Sequence, residues 1–103
     1  MHPSIVNHRT TISEICERIG VVRLDGFGSG SDIDRFVDAK SDFDFLVGFS
    51  ERSKAKAFDD YLALREGLQR VLGRPIELVT TEQVRNPFFR KTIEASRRNV
   101  FGG

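Results

Sequence analysis

The sequence lacks the features that mark secreted and membrane-spanning proteins. It contains a single cysteine, Cys16, which cannot form a disulfide within the chain. Residues 1–20 contain no continuous apolar segment of the kind found in secretory signals. No stretch approaches the ~18 apolar residues that a membrane-spanning helix needs. We therefore expect a cytoplasmic protein that does not enter a membrane.

Neither sign of charge dominates, so composition does not indicate a nucleic-acid partner. The 16 Lys and Arg residues nearly balance the 15 Asp and Glu residues, which leaves a formal net charge of +1. Tryptophan is absent, and nine Phe residues supply most of the aromatic packing. With 103 residues the chain is long enough to bury one core. Residues 1–103 are predicted to form a single domain with a flexible segment at 1–9, and self-association stays open.

Hydrophobic periodicity predicts alternating helices and strands. Apolar residues recur at helical spacing from Ile12 to Ile19 and from about Ser53 to Leu72, and a glycine follows each stretch. Asn86 and Pro87 form a start signal for a last helix that reaches Phe101. The other predicted elements are strands at 21–27, 43–49 and 75–80 and a short helix at 31–37. The order αβαβαβα predicts an α/β fold with about four helices.

Two aspartates, Asp42 and Asp44, lie at the start of a strand-like apolar segment. Alternate residues of a strand point to the same face, so both carboxylates are predicted to project into one site. Carboxylate oxygens in such a pair suit a divalent cation. The structural alternative is a solvated strand entrance that discourages edge pairing.

A second acidic pair, Asp32 and Asp34, lies closer to the glycines. No strand pattern follows it, so we assign it to the start of a short helix. An EF-hand beginning at Asp32 is excluded because Val37 occupies its glycine position and Phe43 its final acidic position. The first pair is therefore the preferred cation site.

A glycine- and serine-rich turn follows the first predicted strand. Gly28 and Ser29 can offer backbone N–H groups and a hydroxyl to a phosphate. The turn ends strand one, whereas Asp42 and Asp44 begin strand two, so a shared site requires these strands to be antiparallel. Glu77 lies near the start of strand three and joins the site only if strands two and three are parallel, linked by the long helix. The sequence therefore predicts a mixed three-stranded sheet.

With Gly28-Ser29, Asp42-x-Asp44 and Glu77 in this order, the chain resembles the nucleotidyltransferase fold of the DNA polymerase beta superfamily. It is most similar to the minimal nucleotidyltransferases, which often act as antitoxins beside HEPN-domain toxins. The resemblance covers almost the whole chain. The motifs are specific in combination, although each would be weak alone.

The resemblance implies a magnesium-dependent enzyme that transfers a nucleoside monophosphate, AMP, from ATP or another nucleoside triphosphate to a hydroxyl group. In that family, residues corresponding to Asp42, Asp44 and Glu77 are catalytic and hold two Mg²⁺ ions. Gly28 and Ser29 correspond to the turn that binds the nucleotide phosphates. The implied partner is a HEPN-domain toxin, with one of its tyrosines as the acceptor.

Two alternatives stay open. Gly30-Ser31-Asp32 stands where relatives carry an arginine-bearing segment, which favours a catalytically weak or inactive antitoxin that acts by direct binding of its partner. Transfer to a small molecule such as an aminoglycoside is the other alternative, and the lack of a second domain for an acceptor pocket makes it the weaker one.

Aromatic and basic residues near the end of the chain have structural interpretations as well. Phe88 and Phe89 are expected to pack against the sheet in preference to forming a partner surface. Arg97 and Arg98 are expected on a solvated helix surface in preference to facing a ligand. Cys16 is interpreted as a small core residue.

Overall fold

The computed structural model describes residues 3–27, 43–50 and 56–102. Four α-helices and a four-stranded sheet are found in these ranges, so the mixed α/β class is confirmed. In chain order the elements are α1 (Pro3–Asn7), α2 (Arg9–Ile19), β1 (Val21–Phe27), β2 (Phe43–Phe49), α3 (Ala57–Leu72), β3 (Ile76–Thr80), a 3₁₀ turn (Thr81–Gln83), α4 (Pro87–Ser96) and β4 (Arg98–Gly102). The helix expected at 31–37 lies outside the described residues.

The sheet has the order β3-β2-β1-β4. Strands β1 and β2 are antiparallel, and β2 and β3 are parallel with α3 between them. Both relations were required if the predicted site residues were to meet, and both are confirmed. The parallel pair needs a long connection, which α3 supplies.

Strand β4 corrects the sequence analysis, which extended the last helix to Phe101. The helix ends at Ser96 because Arg97 adopts an extended conformation, with φ −63° and ψ 130°. The following residues then pair with β1 in an antiparallel manner, and Phe101 lies opposite Leu24. Val100 was expected to reach the core from a helix; it is buried, but as part of a strand. A β-branched and an aromatic residue side by side also favour a strand.

Helix ends follow local chemistry that the sequence displays. Gly20 and Gly73 end α2 and α3 in the left-handed conformation, with φ of 97° and 68°, where a side chain would be strained. The Asn86 side chain accepts a hydrogen bond of 2.8 Å from the backbone N–H of Phe88, and Pro87 occupies the first helical position of α4. These predicted boundaries are confirmed.

The two faces of the sheet carry different hydrophobic clusters. The larger cluster packs α2 and α3 against one face, through residues such as Phe45 and Leu64. On the other face Ile93 of α4 packs with Phe27 and Leu46. Alternation along β2 therefore directs Phe45 to the α2/α3 face and Leu46 to the α4 face.

The N-terminal segment expected to be flexible contains helix α1. Ile5 is buried in the larger cluster. In addition, the Arg9 guanidinium donates a hydrogen bond of 2.7 Å to the carbonyl oxygen of Asn99. The start of α2 is thus tied to the last strand. Among the described residues, no helix is both long and apolar enough to cross a membrane.

Candidate active site

Two of the three predicted carboxylates are neighbours in the sheet. Asp44 on β2 and Glu77 on β3 are register partners in the parallel pair. Register partners project from the same face, and adjacent strands lie about 4.8 Å apart. Asp44 is half-buried and Glu77 is exposed. The structure therefore brings these two carboxylates together on the α4 face.

The other predicted site residues lie outside the described residues. These are Asp42, Gly28 and Ser29, together with the second acidic pair, Asp32 and Asp34. Their roles stay predictions.

The described residues on either side of these positions converge on the carboxylate pair. Phe27, which precedes Gly28 in the sequence, is the register partner of Asp44 in β2. Phe43 begins β2 directly after the first predicted aspartate. Strand pairing thus brings the end of β1 beside the start of β2, as a shared site requires.

Two adjacent carboxylates suit a magnesium ion. Mg²⁺ prefers oxygen ligands, and proteins commonly hold it with one or two carboxylates plus substrate phosphates. Within residues 3–27, 43–50 and 56–102, no three His, Cys, Asp or Glu side chains form a group that could hold a metal. The donor set of Asp44 and Glu77 fits Mg²⁺ of this kind, with the remaining ligands supplied from elsewhere.

A third carboxylate on this face, Asp25, was missed in the sequence analysis. It lies opposite Leu46 and is completely buried. It forms ion pairs with the guanidinium groups of Arg97 and of Arg23, the latter with an Nε to Oδ2 distance of 2.9 Å. The Asn99 side-chain amide donates a hydrogen bond of 3.0 Å to its Oδ1. A buried charge needs such partners, and an aspartate inside an apolar strand was the available signal.

Arg97 joins α4 to this buried carboxylate. Its side chain is 21% exposed, and its Nη1 is 2.8 Å from Oε1 of Glu94. Burial lowers the pKa of Arg97, but the hydrogen bonds and charges of Asp25 and Glu94 outweigh that effect and raise it above its usual value. Arg97 is thus a largely buried, paired cation, whereas a solvated position was expected.

A cavity of about 260 Å³ lies on the same face of the sheet. Its wall includes Leu46, which is two residues beyond Asp44 on β2, so the cavity and the carboxylate pair share one strand and one face. Two arginines and one glutamate contribute charge. The lining residues are Leu46, Thr81, Val84, Arg90, Ile93, Glu94 and Arg97. The wall of the cavity therefore contains both apolar and charged side chains.

Comparisons with known proteins agree with this arrangement. The family described as "Nucleotidyltransferase domain" matches residues 10–100. A candidate protein adenylyltransferase of Methanocaldococcus jannaschii is 38% identical over 55 residues, which cover 53% of this chain and 54% of that protein. The chain thus spans about half the length of this curated relative in the match.

Solved structures show the same fold. A candidate minimal nucleotidyltransferase is 27% identical, with a TM-score of 0.71, and the match covers 90% of this chain and 89% of that one. A complex of a tri-AMPylated HEPN toxin with an MNT antitoxin from Shewanella oneidensis matches with a TM-score of 0.62 and 13% identity. That match covers 96% of this chain and 73% of the other. At 13% identity the likeness supports the fold alone.

Proposed function

We propose that this chain, which belongs to the nucleotidyltransferase domain family, transfers AMP from ATP to a hydroxyl group of an acceptor in a magnesium-dependent reaction. The observation that carries this proposal is the register pairing of Asp44 with Glu77. It sets two carboxylates side by side on one face, at the end of the sheet where β1 ends at Phe27, the residue before Gly28. Asp42 is proposed as the third carboxylate.

Each residue has a distinct part in this proposal. Asp42, Asp44 and Glu77 would hold Mg²⁺, which when bound neutralises phosphate charge and orients the reacting oxygens. Glu77 also accepts the proton of the attacking hydroxyl at its carboxylate, as an exposed glutamate at this position can. Gly28 and Ser29 bind the phosphates of the nucleotide through backbone N–H groups and the hydroxyl.

The acceptor proposed is a hydroxyl on a HEPN-domain toxin, for which this chain would be the antitoxin. One relative is a candidate protein adenylyltransferase, and one structural neighbour is a complex of an MNT antitoxin with an AMPylated HEPN toxin.

Transfer of labelled AMP tests the enzymatic proposal. The chain is incubated with Mg²⁺, ATP labelled at the α-phosphate and a HEPN-domain protein encoded beside it, and both protein labelling and pyrophosphate are measured. Asp44→Asn, alone or with Asp42→Asn, and Glu77→Gln should each reduce both signals strongly. Glu66→Gln, at an exposed position of α3, is the matched control and should leave both signals unchanged. Wild-type labelling in Asp44→Asn would refute the assignment.

A binding-only antitoxin is the second candidate. Gly30-Ser31-Asp32 offers no positive charge after Ser29, where a triphosphate would need it. Isothermal titration of the chain with ATP and Mg²⁺ separates the candidates. Absent nucleotide binding, combined with neutralisation of the toxin, would select the binding-only function.

A further inference from the structure

Positive charge is concentrated on α4 and the residues that flank it. Residues 85–98 contain five Lys and Arg side chains and one Glu, a net charge of +4, whereas the whole chain carries +1. The rest of the chain therefore carries −3. This asymmetry is local, so the overall composition concealed it.

Four of these five cations form no ion pair with a described residue, and Arg90 and Lys91 are the two of them that lie within α4 itself. Arg97 is paired with Asp25 and Glu94. Arg90 and Lys91 are exposed, and neither forms an ion pair with any described residue. The side of α4 that bears them thus presents uncompensated positive charge to solvent.

An exposed aromatic ring adjoins these cations. Phe88 is 81% exposed, although the sequence analysis expected it to pack on the sheet. Its neighbour Phe89 is half-exposed and makes an edge-to-face contact with Phe27, with ring centroids 6.1 Å apart. With 3.6 residues per turn, Lys91 lies between Arg90 and Phe88 around the circumference of the helix. We call these three residues the basic surface of α4.

The basic surface of α4 borders the candidate active site. Arg90 also lines the 260 Å³ cavity, whose wall includes Leu46 on the strand that carries Asp44. A side chain inserted into this cavity would lie on the same face of the sheet as the carboxylate pair. A protein segment bound along α4 can thus reach the site without crossing the sheet.

We propose that the basic surface of α4 binds an acidic segment of the acceptor protein, a proposal that rests on the proposed function above. Opposite charge steers such a segment to α4, and an exposed aromatic beside arginine is a residue combination enriched in protein interfaces. A nucleic acid is disfavoured because its long polyanionic backbone would extend over the rest of the chain, which is net negative.

Peptide binding without ATP tests the surface independently of catalysis. A short fluorescent peptide with one tyrosine flanked by glutamates is titrated at low salt and followed by anisotropy. The same peptide with glutamines replacing glutamates is the charge control. The double variant Arg90→Glu with Lys91→Glu should bind roughly tenfold more weakly, because two exposed ion pairs become repulsive contacts.

A matched variant controls for net charge. Arg18→Glu with Arg70→Glu makes the same change on α2 and α3, which cover the opposite face, and should bind like the wild type. Circular dichroism verifies folding, and Arg90→Gln provides a milder change. Equal loss in both double variants, or equal affinity for the glutamine peptide, would overturn the proposal. Tighter binding of a single-stranded oligonucleotide would replace it with nucleic-acid recognition.

The chemical step separates this proposal from the proposed function. If the glutamate peptide binds α4 but no variant or wild type transfers AMP to any acceptor, the surface assignment stands and the catalytic assignment fails. If AMP is transferred with unchanged efficiency to a HEPN protein by the Arg90→Glu, Lys91→Glu variant, the surface assignment fails and catalysis stands.

Discussion

Replacing Asp25 with asparagine should cost about 3 kcal/mol of unfolding free energy. The carboxylate is fully buried, and the side chain of its main partner, Arg97, is only 21% exposed. Removing one member of a buried ion pair typically costs about 3–5 kcal/mol, because the other charge is left without compensation. Arg97 keeps Glu94 and some contact with water, which places the expected loss at the lower end.

Urea unfolding followed by circular dichroism measures this loss. The midpoint should fall while the slope with denaturant stays constant, and the melting temperature should fall by roughly 10–20 °C for a chain of this size. Glu94→Gln is the control, since that carboxylate is 58% exposed and its pair should contribute less than about 1 kcal/mol.

A double-variant cycle tests the stated cause. Asp25→Asn combined with Arg97→Gln should lose less stability than the two single changes added together, because the double variant no longer buries an unpaired guanidinium. A loss below about 1 kcal/mol for Asp25→Asn, or simple additivity in the double variant, would refute the argument.

Three further predictions concern single positions. Gly102→Ala should destabilise β4 more than Gly73→Ala destabilises the end of α3. Both glycines have positive φ, but a Cβ added at Gly102 would lie 2.0 Å from a carbonyl oxygen of β1. A Cβ added at Gly73 would have none of the described atoms within 4 Å. Hydrogen exchange of the β4 amides in the first variant, and of the amides at the end of α3 in the second, measures the two effects, and equal effects would contradict the prediction. Burial, followed by the charge of Glu17, raises the pKa of Cys16 from 9.0 to about 12, so the native thiol should resist alkylation at pH 8. The pKa of the Cys16 thiol is higher in the folded than in the unfolded chain, so the thiol's contribution to stability should be complete below pH 9 and lost towards pH 12. Cys16→Ala should lack this part of the decline. Tyr61→Phe should cost about 1 kcal/mol in urea unfolding, since its hydroxyl donates a hydrogen bond of 2.6 Å to a β3 carbonyl; no change would show that water replaces it equally well.

Local signals predicted the parts of the fold that depend on neighbouring residues. The glycines after α2 and α3 and the asparagine before α4 marked helix ends because their conformations are local. The antiparallel relation of β1 and β2 followed from requiring Gly28-Ser29 to meet the aspartates, and the parallel relation of β2 and β3 from requiring Glu77 to join them. The last strand was missed because Val100 and Phe101 also fit a helical spacing, and pairing with β1 decided the conformation.

The candidate site was predictable only in part. Adjacency of Asp44 and Glu77 follows from the parallel pairing of β2 with β3 and is observed. The ion pair of Asp25 with Arg97 could not be predicted, because the two residues lie 72 positions apart in the sequence. The same holds for the exposure of Phe88, which depends on how α4 lies on the sheet. Long-range packing, which leaves no local pattern, accounts for these omissions.

Because β2 and β3 are paired in parallel, the main-chain hydrogen bonds between them set the distance between Asp44 and Glu77. Lengthening the turn between α3 and β3 would leave that spacing intact, since the ladder itself is unchanged. One residue inserted inside β3 ahead of Glu77 would rotate the glutamate to the opposite side of the sheet. Insertions in the turn before β3 should therefore leave the two carboxylates adjacent. A single residue inserted inside β3 ahead of Glu77 should separate them.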